Sequence, residues 1–212
     1  MTTTSTAILD PRINEVIARL QATRTRPVPH GPHSGGSKDP HSYGEFGFSI
    51  HPEQGDLIYL LCRAIRAKRV VEFATSVGMS TLYFASAIRD NGGGIVIGSE
   101  IVPQKIAMAM KNVTDAGLAS WVDIREGDAR ETLRDLGGLV DFVLIDGWPT
   151  GEASSLALQV MRVIAPQIRP GGMVMNDNAE EDFLAYIRDP AHGFRSMTLP
   201  IKGGTELSVK VA

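Results

Sequence analysis

Cysteine is almost missing from this chain: Cys62 stands alone among 212 residues, so no disulfide framework can form within it. Cys62 lies in an apolar helical pattern, which reads as a buried structural thiol. No run approaches the ~18 consecutive apolar residues that a membrane helix needs. The opening Met1-Thr2-Thr3-Thr4-Ser5-Thr6 has neither a basic nor an apolar stretch, so no signal peptide is expected. Neither sign of charge dominates, with 21 Lys and Arg against 24 Asp and Glu, a formal net charge of -3. That balance weighs against a nucleic-acid partner. No membrane partner and a cytoplasmic location are the default expectations. Apolar residues make up 43% and charged residues 21%, ordinary values for a soluble globular protein. The length fits one domain with an appended arm. A complete G-x-G-x-x-G is also lacking, which counts against a ligand that brings a pyrophosphate close to backbone.

What is there is organised around Val70-Val71-Glu72-Phe73-Ala74-Thr75-Ser76-Val77-Gly78-Met79-Ser80-Thr81. The stretch begins apolar and β-branched and ends small and polar. Leu82, Phe84, Ala85 and Ile88 follow at helical spacing. This reads as strand, tight turn and helix, with backbone N–H groups left open over the strand's carboxyl end. Ligands of open α/β sheets bind at that edge.

The pattern then repeats. Ile95 to Ser99, Trp121 to Ile124, Val140 to Ile145 and Met173 to Met175 read as strands, with helices between them. The longest runs over residues 152–168, and Pro170-Gly171-Gly172 reads as a turn. Phe194–Leu199 and Glu206–Val211, joined by Gly203-Gly204, look like an antiparallel hairpin. Five βα units and a hairpin predict an α/β domain, doubly wound and Rossmann-like, in three layers. Upstream, Asp10-Pro11 opens a short helix with Ile13, Val16, Ile17 and Leu20 on one face. That face needs the main domain or a second subunit to cover it. Residues 24–47 are rich in Gly, Pro and His and read as a lid or as a flexible arm. The expected division is an arm over residues 1–50 and a ligand-binding domain over residues 51–212.

Candidate chemistry gathers at the strand ends. Glu72 is either a hydrogen-bonded core acid or an acid facing a cationic ligand group. Glu100 ends the second strand, where an acid accepts hydrogen bonds from ribose hydroxyls, although a solvated loop acid fits the same place. Gly127-Asp128-Ala129 ends the third strand, where an adenine edge is read, and it is also common turn chemistry. Asp146 and Asp177-Asn178 end the fourth and fifth strands. Their oxygens can converge on a hard cation such as Mg²⁺, or simply close Asx turns.

Taken together, Glu72 through Thr81, Ser99-Glu100, Gly127-Asp128-Ala129, Leu144-Ile145-Asp146-Gly147-Trp148 and Arg169-Pro170-Gly171-Gly172 with Asn176-Asp177-Asn178 resemble the motif series of the class I S-adenosylmethionine-dependent methyltransferases. Within that class the chain is most similar to the small cation-dependent O-methyltransferases related to the catechol and caffeoyl-CoA enzymes. The resemblance runs from about Ile50 to the C-terminus. It implies a seven-stranded sheet, mostly parallel with its last strand antiparallel, and an enzyme that methylates a small molecule. It implies that Glu72, Ala74, Ser76, Gly78 and Ser80 surround the methionine part of the cofactor, with Ile50 closing over it. Glu100 would hold the ribose, Ile101 would pack on adenine, and Asp128 and Ala129 would contact the base. Asp146 would serve both cofactor and metal, with Asp177 and Asn178 as the other ligands of a divalent cation. Related enzymes are often dimers, so a homodimer is expected.

The chain departs from this pattern at defined places. Ala74 replaces a usual glycine, so the turn or the cofactor's amino-acid end is expected to shift. Pro149 stands where the family carries its catalytic lysine, and the region around Leu199-Pro200 offers no substrate-binding acid. A replacement base is sought among His30, His33, His41 and His51. His51 is the choice, beside the expected cofactor-contacting backbone, although a helix N-terminal role explains it too. The competing readings are a metal-independent or N-directed methyltransferase, a nicotinamide oxidoreductase, and a cofactor-binding regulator without catalysis.

Overall fold

A computed structural model of the chain describes residues 5–24, 37–147, 154–177 and 179–212. Its centre is strand β1, Arg69–Phe73, whose last four residues are all buried. Val70 faces one layer of helices and Val71 the other, as the alternation of side chains along a strand requires. Strands β2 (Ile95–Glu100), β3 (Val122–Glu126), β4 (Val140–Ile145), β5 (Ile168–Asp177), β6 (Phe194–Leu199) and β7 (Thr205–Lys210) complete one seven-stranded sheet. Its order is β3-β2-β1-β4-β5-β7-β6. Strands β1 to β5 run parallel, and β7 lies antiparallel between β5 and β6. The expected three-layer Rossmann-like architecture with its terminal hairpin is therefore present.

The chain builds outward from β1 through β2 to β3, then returns to place β4 on the other side of β1. That reversal opens a crevice at the carboxyl ends of β1 and β4, the general ligand position in such sheets. The turn after β1 and Asp146 after β4 both lie there.

Helices α1 (Pro11–Arg24), α2 (Pro52–Ala64), α3 (Met79–Asp90) and α4 (Pro103–Asp115) contribute to one core. Ile13, Ile17, Ile58, Leu82 and Phe84 meet Phe142, Leu144 and Met175 of the sheet. Phe84 and Phe142 meet edge to face, 5.4 Å between centroids. Across the sheet, α5 (Ala129–Thr132), α6 (Leu156–Ile164) and α7 (Glu181–Arg188) frame the second core around Val143, Ile145, Val160, Met161 and Phe183. Gly55 lets α2 cross α3 closely, since a Cβ there would fall 2.3 Å from the Tyr83 ring.

Three expectations change, and one open alternative closes. The α1 face is covered by this chain's own α3 and α4: Ile13 and Ile17 are fully buried, and Arg19 reaches Asn112 and Asp115 at 2.9 and 2.7 Å. A second subunit is thus not required to cover it. Residues Pro170-Gly171-Gly172 are not a turn between elements but lie within β5, where the pairing with β4 shifts register between Val140 and Phe142. A bulge absorbs the proline and the left-handed Gly171. Trp121 belongs to a short 3₁₀ turn, and β3 begins one residue later. The helix expected over 152–168 spans Leu156–Ile164 among the described residues. Of the arm, residues 37–47 carry a 3₁₀ turn at Pro40–Tyr43, and Tyr43 is buried against Phe46 and Phe48. His30 and His33 lie outside the described residues. No described helix is long and apolar enough to cross a membrane.

Candidate cofactor and acceptor site

The turn after β1 holds an unusual backbone. Ala74, Ser76 and Gly78 take φ of 67°, 51° and 83°, all in the left-handed region. Glycine reaches that region without strain; alanine and serine do so at a cost of about 1–3 kcal/mol each. Ala74 therefore adopts the positive-φ backbone that a glycine would, and bears the strain. The N–H groups of this turn are largely committed. Those of Ala74 and Thr75 donate to Ser99 O at 3.0 and 3.2 Å, and that of Gly78 donates to Thr75 O at 2.9 Å. The Ser76 N–H donates to Glu100 Oε2 at 2.7 Å. Of the donors expected to stand open over the strand, those of Ala74, Thr75, Ser76 and Gly78 are taken up in this network.

Glu100 is the hub. Its Oε1 accepts from the N–H groups of Ile101 and Val102 at 2.9 and 3.0 Å, while Oε2 takes Ser76. An ionised carboxylate has about four acceptor positions, and three are used here. The Ser76 hydroxyl beside it is buried, with no hydrogen-bond partner among the described residues. Ile101, next along, presents an exposed apolar side chain. A remaining acceptor position, a buried hydroxyl without a partner and an apolar platform form a set that fits a nucleoside.

Glu72 is fully buried, and its oxygens accept from Ser80 Oγ at 2.7 Å and Thr81 Oγ1 at 2.5 Å. Burial pushes its carboxyl above the ordinary range, and the Thr81 and Ser80 hydroxyls oppose that rise. These contacts are those of a hydrogen-bonded core acid that ties β1 to α3. Ile50 is also buried and belongs to the core beneath. Asp128 caps α5, accepting from Arg130 N at 2.8 Å, and pairs with the Arg130 guanidinium. The guanidinium's hydrogen bond, more than the backbone one, lowers its carboxyl pKa. Ala129 is buried as the first residue of α5.

At the carboxyl ends of β4 and β5, Ile145 pairs with Asn176, so Asp146 and Asp177 leave adjacent strands together. Gly147 is required there: a Cβ would fall 1.7 Å from the Phe73 ring. Asp177 is buried, and both its oxygens are engaged. Gln54 Nε2 donates to Oδ1 at 2.9 Å, and the Lys202 ammonium pairs with Oδ2. The same Gln54 nitrogen donates to Thr205 Oγ1 at 3.0 Å, and Gln54 Oε1 accepts from His51 N at 2.8 Å. His51 thus stands at the N-terminus of α2, and Gln54 connects its backbone to Asp177. Asn178 and Pro149 lie outside the described residues. Among the described residues no group of three or more His, Cys, Asp or Glu is placed to hold a metal ion. With an ammonium seated on Asp177, the residues present do not fit a divalent cation there, because two cations would face each other on one carboxylate.

Gln54 and Lys202 are the two site residues that sequence reasoning missed. Gln54 reads as an ordinary polar residue of a helical first turn. Lys202 carried one available signal, its place beside the Gly203-Gly204 turn. A cavity of about 310 Å³ lies behind Val77, lined by Arg19, Leu20, Phe46, Met108 and Asn112, and none of the acids above lines it.

A sheet of this order, with an acid closing its second strand onto the turn after the first, defines the class I methyltransferase fold. Residues 71–179 match the family described as a methyltransferase domain, and the chain belongs to that family. A catechol O-methyltransferase of Niastella koreensis is 34% identical over 143 residues, covering 63% of this chain and 64% of that protein. A catechol O-methyltransferase of Mycobacterium tuberculosis is 29% identical over 147 residues, 66% of each chain. The chain thus spans about two thirds of the length of these relatives. Among solved structures, the O-methyltransferase of Bacillus cereus in complex with S-adenosylhomocysteine shares the fold, with a TM-score of 0.70 and 19% identity, covering 97% of this chain and 93% of that one.

Proposed function

We propose that this chain is an S-adenosylmethionine-dependent methyltransferase that methylates an oxygen of a small molecule. The observation that supports the reading is Glu100, a buried carboxylate at the carboxyl end of β2 that accepts three backbone N–H groups, one of them from the turn after β1. When bound, S-adenosylmethionine would supply a methyl group on a sulfonium for transfer to an acceptor oxygen, whose proton would pass to solvent. Glu100 and Ile101 hold the nucleoside, and the Ala74–Gly78 turn carries the amino-acid end. The chain's main contribution is alignment, because the leaving group is good already. Asp146, which follows β4 at the crevice edge, would face the cofactor there.

A calorimetric titration with S-adenosylhomocysteine and, separately, with NAD tests the cofactor. Binding of the first alone is expected; binding of NAD alone returns the chain to the oxidoreductase reading. A panel of phenolic, carboxylate and amine acceptors, run with and without a chelator, then tests the chemistry. Methylation of oxygen acceptors is expected. Methylation of amines alone favours an N-directed enzyme, and cofactor binding without turnover on any acceptor favours a regulator. The divalent cation implied by the resemblance is not built into this reading, because Lys202 holds Asp177.

A further inference from the structure

The β6–β7 hairpin brings a lysine to the acid that the fold would otherwise offer to a metal. Asp177 ends β5 and pairs in register with Thr205, the first residue of β7. The four residues before Thr205 form a tight connection, in which Gly204 N donates to Ile201 O at 2.9 Å and Thr205 Oγ1 to the same oxygen at 3.2 Å. Within it Lys202 takes a left-handed backbone, φ 51°, and its side chain turns in, only 23% exposed. Its ammonium lies on Asp177 Oδ2 while Gln54 holds Oδ1. A buried carboxylate so paired is neutralised without a metal.

Resting on the methyltransferase reading above, we infer that Lys202 is the resident cation of the acceptor site, standing at Asp177 in place of a divalent metal. An ammonium carries three donors, and Asp177 takes one of them. Another reaches the acceptor oxygen and positions it for the methyl group. An ammonium gives single hydrogen bonds and does not chelate two adjacent oxygens. Acceptors with one hydroxyl therefore suit the site as well as those with two. Lys202 is a positioning residue for the acceptor.

The test is a titration of the full chain with Mn²⁺, followed by calorimetry and by the electron paramagnetic resonance of the free ion. It is run with and without S-adenosylhomocysteine, on wild type and on Lys202→Met, Lys202→Gln and Lys202→Arg. Wild type and Lys202→Arg are expected to show no site at millimolar Mn²⁺. Lys202→Met and Lys202→Gln uncover Asp177 and are expected to bind Mn²⁺ at least about tenfold more tightly. Mn²⁺ should raise the melting temperature of these two variants and leave wild type unmoved. Mn²⁺ binding by wild type, abolished by Asp177→Asn, overturns the inference, and this arm does not depend on any lysine variant folding. Folded Met and Gln variants that gain no Mn²⁺ site overturn it as well. Failure of wild type to bind S-adenosylhomocysteine, with the Mn²⁺ pattern as expected, refutes the cofactor reading and leaves the ammonium as Asp177's cation.

Discussion

Replacing Glu100 with glutamine separates its two jobs. In the folded chain its carboxylate accepts three backbone N–H groups, at 2.7, 2.9 and 3.0 Å. A glutamine keeps one oxygen, and the best use of it is the pair from Ile101 and Val102. Its NH₂ then faces the Ser76 N–H, donor against donor, in a buried place. Losing one hydrogen bond to a charged acceptor costs about 1.5–3 kcal/mol. The urea midpoint should fall accordingly, with the slope unchanged. Binding of S-adenosylhomocysteine should weaken separately, because a charged acceptor for the ribose is gone. A loss of the same size is about tenfold to a hundredfold in Kd. Calorimetry on the folded fraction measures it. A variant that loses stability but binds as wild type makes Glu100 a brace for the Ala74–Gly78 turn only, and refutes the reasoning.

Two further perturbations probe the same edge. In the folded chain Glu72 holds its proton to higher pH than in the unfolded chain, where the reference is 4.5. The contribution of Glu72 to stability is therefore fully present below pH 4.5, falls as pH rises through the raised folded value, and is flat beyond. Glu72→Gln should remove that fall, and urea unfolding of both proteins across pH reveals it; parallel curves would sink the idea. Ala74→Gly should release left-handed strain at φ 67° and stabilise the fold by about 1 kcal/mol, net of the added freedom of the unfolded chain. A lower midpoint for Ala74→Gly would mean that the turn is not strained as described.

The fold was legible because each βα unit announces itself locally. Val70 to Phe73, Ile95 to Ser99 and Val140 to Ile145 are short apolar runs closed by small or polar residues, and the helices between them repeat at helical spacing. The fifth strand was only half legible. Pro170-Gly171-Gly172 has the chemistry of a turn, and only pairing with β4 across a register shift makes it strand. Tertiary pairing overrides turn preference there. The apolar face of α1 was legible as a face, but not its cover: Val113 and Leu118, its neighbours in the core, lie almost a hundred residues along the chain.

In the candidate site, legibility followed the same division between local and distant chemistry. Acids at strand ends declare their position, so Glu100, Asp146 and Asp177 were found; what each one touches was not declared. Asp128 shows the local case, since a Gly-Asp pair before a helix is capping chemistry, and its carboxylate does cap α5. Asp177 shows the distant case. Its partners are Gln54 and Lys202, 123 and 25 residues away in sequence, brought together by the N-terminus of α2 and by antiparallel pairing with β7. Gln54 uses its oxygen on His51 and its nitrogen on Asp177 and Thr205, so one buried amide joins the segment entering α2 to the end of β5 and to the hairpin. Removing its side chain would leave Asp177 with one partner fewer in a buried place, a loss larger than that of a surface amide. A helical glutamine advertises none of this. The acid was readable because a strand end fixes where it is, while its charge balance depends on a pairing that closes only when the hairpin folds back onto β5.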